Sequence, residues 1–175
     1  MMAETAEELK EKLDSSFILN EILQKINSNA EHIDVQTNSL VILSSAVFVF
    51  SAQNFLSAGP NQHLYALSLA FFSSLSSIAG LLALNPPAFM DKRGQKESDL
   101  YVRKIAEYKT KEEYFERLKK ILKNEQNAIE EYALDIYNLS KYSYLPKRKL
   151  FNLAKNLLII GFLTSIVLFI IQIRI

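Results

Sequence analysis

Residues 64–84 read LYALSLAFFSSLSSIAGLLAL, with no charged side chain in the whole stretch. About 20 consecutive apolar residues cross the hydrocarbon core of a bilayer as a helix, so this stretch has the length of a membrane span. Asn85-Pro86-Pro87 follow it, and proline both lacks the helical amide donor and disfavours helix in the residue before it. The sequence therefore predicts a transmembrane helix that ends near residue 84.

Two further stretches have the same character, residues 40–56 (LVILSSAVFVFSAQNFL) and residues 157–173 (LLIIGFLTSIVLFIIQI). The chain contains 20 Lys and Arg and 19 Asp and Glu, yet none of them lies between Val35 and Met90. A soluble protein exposes charge along its whole surface, and buried helices of soluble proteins usually keep their apolar runs to about 10–14 residues. Three transmembrane helices therefore explain the sequence better than a soluble core.

The basic residues predict the orientation of these spans. An uncharged turn, residues 57–63 with Gly59-Pro60, joins the first two spans. Basic residues flank the other ends, at Lys92, Arg93, Lys96, Lys147, Arg148, Lys149 and Lys155. Short loops rich in Lys and Arg stay in the cytosol, so we expect a multi-pass membrane protein with a cytosolic amino terminus.

Helical periodicity continues outside the spans. From Glu4 to Asp34 apolar residues recur at three- and four-residue steps, which predicts an acidic helix that enters the membrane without a break. Further along, Thr110 and Glu113 have the spacing of a capping box at a helix start.

From Leu118 to Leu139 the apolar positions follow a heptad pattern, with Glu125 at one core position. This pattern predicts one continuous helical seam, and Pro146 is expected to end that helix before the third span. Such seams also join protomers, so we expect a homo-oligomer.

The predicted fold class is an all-α membrane protein, in which three transmembrane helices carry a cytosolic helical bundle or coiled coil. The predicted segments are a cytosolic helix leading into the first span (1–38), a transmembrane hairpin (39–87), a cytosolic helical module (88–152) and the third transmembrane helix (153–175).

The sequence offers little for catalysis. It contains no cysteine and only two histidines, and it shows no Gly-rich phosphate loop and no nucleophile–base set. His32 and Asp34 are two residues apart on a helix, so they point in different directions and make a poor metal pair. We therefore expect no enzyme, no cofactor and no metal site.

Three features invite a functional interpretation, and each has a plainer alternative. Gln53 and Asn54 near the outer end of the first span either line a pore in an oligomer or form hydrogen bonds between helices. The serines and Gly80 of the second span allow close helix approach, as ordinary packing or as tight oligomerisation requires. Arg103, Lys104 and Tyr108 combine positive charge with an aromatic ring, as a nucleotide site does, or form a solvated basic face near anionic lipid.

The order of segments resembles a known family. The run LNEILQKINSNAEHIDVQTNSLVIL (19–43), two spans ending at Asn85-Pro86-Pro87, the run EEYFERLKKILKNEQNAIEEYALDIYNLSKYSYLPKRKL (112–150) and a last span are similar to the transmembrane effectors of Pycsar-type bacterial antiphage systems. In that family an Asp precedes the first span and a Ser-Lys and Tyr stretch precedes the last. Asp34, Lys141 and Tyr142 match these positions here.

The resemblance implies an antiphage effector in the bacterial inner membrane. In such systems a partner cyclase makes cUMP or cCMP, and the effector then assembles and impairs the membrane. The partners implied are the lipid bilayer, further copies of the chain and a cyclic nucleotide, with no nucleic acid polymer. Two other interpretations remain open at this point, namely a membrane scaffold or assembly protein and an accessory effector of another defence system such as a CRISPR locus.

Overall fold

The structure is a computed structural model, and it describes residues 6–58, 64–87, 97–174 and Met90. These ranges are helical wherever they have regular structure, and they contain no strand. The elements are α1 (Ala6–Ala58), α2 (Leu64–Leu84), α3 (Val102–Ile105), α4 (Lys111–Leu122), α5 (Glu125–Asn138), a π-helical turn (Leu139–Tyr144) and α6 (Leu145–Arg174). The predicted all-α class is confirmed.

Three helices of the described part are long and apolar enough to cross a membrane: α1, α2 and the helix that includes α6. The three predicted transmembrane helices are therefore confirmed. Helix α1 runs for 53 residues without interruption, which also confirms that the amino-terminal helix continues into the first span. The Gly59-Pro60 turn and the basic residues Lys92, Arg93 and Lys96 lie outside the described residues, and the orientation of the spans stays a prediction.

The chain divides into two compact units, which we describe separately. The polar unit comprises Met1–Asn29 and Lys92–Tyr144, and the membrane unit comprises Ala30–Asp91 and Leu145–Ile175. The membrane unit holds the three apolar helical segments, and the polar unit holds α3, α4, α5 and the π-helical turn.

Two glycines set the packing distances in the membrane unit. A Cβ atom placed on Gly80 of α2 would lie 2.6 Å from Cγ2 of Val41 on α1, and one placed on Gly161 of α6 would lie 2.6 Å from Cβ of Phe72 on α2. Both distances are far below van der Waals contact. Helix α2 therefore packs closely against α1 on one side and against α6 on another, as small residues allow in membrane helices.

Large apolar side chains cover the outside of the membrane unit. Ile42, Phe50 and Leu163 are 71%, 68% and 60% exposed on the protein surface. In water this arrangement would be strongly unfavourable, but lipid tails solvate apolar side chains as well as a protein core does. The interior is then free to contain small and hydroxyl-bearing residues.

The polar unit confirms the predicted start of α4. The hydroxyl of Thr110 accepts a hydrogen bond from the Glu113 amide at 3.2 Å, and the Glu113 carboxylate accepts one from the Lys109 amide at 3.3 Å. The two side chains thus satisfy amide groups that a helix start leaves without partners. The return bond goes to Lys109, one residue before the cap.

The predicted continuous seam from Leu118 to Leu139 is wrong. Helix α4 ends at Leu122, and Asn124 starts α5 because its side chain accepts a hydrogen bond from the Gln126 amide at 3.1 Å. Asparagine is a favoured N-cap since its side chain competes for backbone groups. The heptad spacing therefore describes two successive helices that pack on each other, and not one long helix.

The prediction that Pro146 ends the preceding helix is also wrong. Pro146 is the second residue of α6, and a π-helical turn from Leu139 to Tyr144 connects α5 directly to α6. Proline removes one amide donor and crowds the carbonyl four residues earlier. A wider turn relieves that crowding, so the helix changes its geometry before the proline and then continues.

Candidate functional site

A set of fully buried hydroxyl groups marks the interior of the membrane unit. We call it the hydroxyl seam, and it consists of Thr37, Ser44 and Ser51 on α1 and Ser73 and Ser76 on α2. Each of these side chains is at most 2% exposed. The membrane unit therefore has a polar lining inside an apolar shell.

The α1 members of the hydroxyl seam are spaced seven residues apart, so they follow one face of the helix. Only the middle one has a hydrogen-bond partner on another helix, because the Ser44 and Ser77 hydroxyl oxygens lie 2.8 Å apart. The hydroxyl oxygens of Thr37 and Ser51 are buried without a hydrogen-bond partner. The contact of α1 with the rest of the membrane unit thus leaves two polar groups unsatisfied.

The hydroxyl groups of α2 at the contact with α6 have hydrogen-bond partners on that helix. The Ser76 hydroxyl donates to the Ala154 carbonyl at 2.8 Å, and the hydroxyls of Ser68 and Thr164 lie 2.9 Å apart. The rings of Tyr65 and Phe169 meet edge to face with centroids 5.3 Å apart, a favourable aromatic geometry. These contacts cover most of the length of α2.

An ion pair joins α1 to α6 just before the spans. The Lys147 ammonium donates to both carboxylate oxygens of Asp34, at 2.8 and 2.7 Å. The Lys147 side chain is only 17% exposed, and that of Asp34 is 37% exposed. We call this contact the boundary pair. It gives a structural partner to Asp34, which the sequence marked only as a family position.

The predicted polar pair near the carboxyl end of the first span lies on the surface of the membrane unit. The Gln53 and Asn54 side chains are exposed, and the Asn54 amide donates to the Phe50 carbonyl of its own helix at 2.9 Å. Their role as pore-lining or interhelical groups stays a prediction.

In the polar unit, Asp99 is the centre of a hydrogen-bonded group. Its carboxylate accepts from the Tyr108 hydroxyl at 2.9 Å and from Nε of Arg117 at 2.6 Å, and its own amide donates to the Glu131 carboxylate at 3.0 Å. Burial opposes ionisation of Asp99, but the bonds from Arg117 and Tyr108 outweigh it and lower the pKa of the carboxyl. Asp99 is therefore held as a charged tether between α4, α5 and the segment before α3.

Glu131 and Asp135 lie four residues apart on the inward face of α5, and both are buried. Burial raises the pKa of Asp135, and the neighbouring charge of Glu131 raises it further. One oxygen of Asp135 has no hydrogen-bond partner. Asp135 therefore favours its neutral form more than an exposed aspartate does.

Of the three residues predicted to bind a nucleotide, the structure describes the side chains of Lys104 and Tyr108, which bond to different partners. The Lys104 ammonium donates to the Glu107 carboxylate at 2.9 Å, and the Tyr108 hydroxyl is bonded to Asp99. The Arg103 side chain lies outside the described residues. The Tyr108 ring contacts that of Tyr114, with centroids 5.4 Å apart. Nucleotide binding by these residues stays a prediction.

The other family positions lie in the π-helical turn. Lys141 donates to the Tyr137 hydroxyl and lies over the Tyr137 ring, 4.8 Å from its centroid. The Tyr142 ring meets the Tyr137 ring edge to face at 6.2 Å. These contacts brace the turn between α5 and α6. No group of metal-ligating side chains occurs within the described residues.

Sequence reasoning missed the hydroxyl seam on α1 and the roles of Lys147 and Arg117. The seven-residue spacing of Thr37, Ser44 and Ser51 was a usable signal, because three small polar residues on one face of an apolar helix indicate the side that faces protein. No local signal marks Lys147 or Arg117, since their partners are far away along the chain.

Comparison with known proteins agrees with this architecture. A family model described as PycTM, Pycsar effector protein domain, matches residues 18–172, which include all three membrane helices. No curated protein and no solved structure matches the chain.

Proposed function

Because the chain belongs to the Pycsar effector family with a transmembrane domain (PycTM), we propose that it stops phage propagation by impairing the bacterial inner membrane. The trigger is a cyclic nucleotide, cUMP or cCMP, made by a partner cyclase. The amino terminus and the polar unit face the cytosol, where such a signal appears. The observation that carries the proposal is the membrane unit itself, which hides a line of hydroxyl groups inside an apolar shell.

The absence of charge in the described spans favours a non-selective leak. A selective proton or ion pathway usually contains ionisable side chains within the membrane, and the segments 40–56, 64–84 and 157–173 contain none. Hydroxyl groups can solvate small ions of either sign. Damage by this protein is therefore a loss of membrane potential.

The nucleotide acts on the polar unit by favouring one of two packing states. A ligand shifts such an equilibrium only through its different affinity for the two states. We place its contacts at Arg103, Lys104 and Tyr108, where positive charge and an aromatic ring are close in sequence. Binding there would compete with the bonds that Lys104 and Tyr108 now make to Glu107 and Asp99.

Self-association is part of the proposal. Phe115 and Leu122 are 55% and 65% exposed, and they lie seven residues apart on α4, so they share one face of that helix. Gln53 and Asn54 are exposed on the first span and would form hydrogen bonds between helices of neighbouring protomers. Both features support a homo-oligomer.

The same exposed pair on α4 favours a second candidate, a scaffold that binds a partner protein at the membrane. Family membership favours the Pycsar effector over a scaffold and over an accessory protein of a CRISPR locus. The scaffold predicts that the protein leaves the membrane potential unchanged whatever nucleotide is present.

Inverted inner-membrane vesicles test the proposal directly, because they expose the cytosolic face to added nucleotide. The vesicles contain the full-length chain, are energised with NADH and report their potential through a dye. We expect cUMP or cCMP, but not cAMP, to collapse the potential. If the potential stays unchanged with all three nucleotides while the protein is shown to be in the vesicles, the effector function is rejected and the scaffold is the remaining candidate.

A further inference from the structure

The unsatisfied hydroxyls of the hydroxyl seam are exceptions within this chain. Several other hydroxyls on the membrane helices bond to a carbonyl four residues earlier, as Ser39 does to Val35 at 3.0 Å and Thr164 to Ile160 at 2.9 Å. Thr37 and Ser51 do not, although they are fully buried. A buried hydroxyl without a partner is unfavourable by about 1–3 kcal/mol, so these two positions favour a second state in which they meet a polar partner.

The hydroxyl seam extends over much of the length that a path through a membrane requires. Thr37 and Ser51 are 14 residues apart on α1, which corresponds to about 21 Å along a helix. The hydrocarbon core of a bilayer is about 30 Å thick. With Ser44 between them, bonded to Ser77 of α2, hydroxyl groups accompany most of that distance.

The two walls of the hydroxyl seam are held by different contacts. Helix α1 contacts α2 through the hydroxyls of Ser44 and Ser45, which lie 2.8 and 3.3 Å from the single hydroxyl of Ser77, and through the close approach of Val41 to Gly80. Helices α2 and α6 share two hydroxyl bonds at separate positions and a ring contact. Movement of α1 away from α2 would therefore break hydroxyl bonds at the single partner Ser77 and would expose Thr37, Ser44 and Ser51 together.

We propose that the face of the hydroxyl seam between α1 and α2 is the wall of a water-filled path for small ions, which opens when α1 separates from α2. The proposal rests on the proposed function and specifies where the leak occurs. Water would hydrogen-bond to Thr37 and Ser51 in the open state. The exposed Gln53 and Asn54 would then lie outside the path.

The absence of cysteine from the chain makes a clean test available. Ser44→Cys, Ser51→Cys and Ser73→Cys place a thiol of nearly the same size in the hydroxyl seam, and Val49→Cys is the matched control on the outer face of α1, where Val49 is 51% exposed. Each full-length variant is studied in inverted vesicles with a charged methanethiosulfonate reagent, before and after addition of cUMP or cCMP. Membrane potential is recorded in the same vesicles.

Only a thiolate reacts, and a thiol needs water to ionise, so we expect labelling of the seam variants to accelerate at least about tenfold after the nucleotide. Val49→Cys should stay slow in both conditions. Three seam positions are used, so that a single variant that folds poorly does not decide the result.

The outcomes separate the two proposals. A collapse of the potential with fast labelling of the seam and a slow control supports the path. If the potential collapses while the seam variants stay unreactive, or while only Gln53→Cys and Asn54→Cys are labelled, then the proposed path is wrong and the proposed effector function stands. No collapse with any nucleotide overturns the proposed function, and the path with it.

Discussion

Helix α2 has two neighbours in the membrane unit, and the two contacts differ in kind. Toward α6 its hydroxyls find partners, with Ser76 bonded to the Ala154 carbonyl and Ser68 to Thr164. Toward α1 the packing is as close, since Gly80 admits Val41, but Thr37 and Ser51 are left without partners. Close packing and satisfied polar groups are therefore separable properties of a membrane interface.

This difference assigns different roles to the two contacts. An interface whose polar groups are all bonded loses those bonds when it opens, and in lipid nothing replaces them. An interface with unsatisfied hydroxyls gains bonds when water enters. We therefore regard α2 with α6 as the fixed pair and α1 as the moving helix.

The largest expected effect comes from Gly161→Ala, because the added Cβ would lie 2.6 Å from Cβ of Phe72. That atom cannot rotate away from its own backbone, so α2 and α6 must separate. We expect a loss of about 3 kcal/mol in the free energy of unfolding, at the upper end of overpacking effects. Thermal unfolding of the protein in detergent measures the change. Leu163→Ala on the outer face is the control, and equal stability of the two variants would show that the pair is not fixed.

The boundary pair gives the next largest expected effect, since it joins α1 to α6 through an ion pair. Asp34→Ala leaves the mostly buried Lys147 ammonium without its carboxylate, and we expect a loss of about 2 kcal/mol. The exchange of both residues, Asp34→Lys with Lys147→Asp, should restore most of it. A double-mutant cycle on thermal stability isolates the pairwise term, and a coupling energy near zero would contradict the role of this pair.

Gly80→Ala tests the other contact of α2, because it introduces a smaller steric overlap between α2 and α1. Its Cβ would meet Cγ2 of Val41, the end of a side chain that a rotation can move, so we expect only about 1 kcal/mol of destabilisation. Because the added methyl group pushes α1 away from α2, we also expect the vesicles to lose their membrane potential at a nucleotide concentration about fivefold lower.

The double variant Gly80→Ala with Val41→Ala removes the overlap and provides the control. It should return the nucleotide requirement to that of the native chain. A Gly80→Ala variant that needs more nucleotide than the native chain would show that separation of α1 from α2 is not the opening step.

The sequence predicted the spans and the start of α4 because both depend on local chemistry. A charge-free stretch of the right length needs lipid, and Thr110 with Glu113 satisfies the amides beside it. The sequence did not predict which side of α1 faces protein, because apolar residues surround that helix and lipid accepts any of them.

Contacts between distant residues were also beyond local reasoning. Lys147 lies 113 residues after Asp34, and six other basic residues that flank the spans looked equally suitable before the helices were packed. The break between α4 and α5 was missed for another reason, because Asn124 interrupts a heptad pattern whose apolar positions continue on both sides.

The smallest expected effects come from two serines of the hydroxyl seam, and they test the comparison most directly. Ser76→Ala removes a hydroxyl bonded to the Ala154 carbonyl, and hydrogen bonds between membrane helices contribute about 0.6 kcal/mol on average. Ser51→Ala removes a hydroxyl that has no partner, so the same change should be neutral or slightly stabilising. Thermal unfolding of the two variants, measured side by side in detergent, gives the difference without a change in side-chain size. If Ser51→Ala destabilises the protein as much as Ser76→Ala, then the Ser51 hydroxyl is satisfied in the resting state, and α1 is bound to α2 as firmly as α6 is.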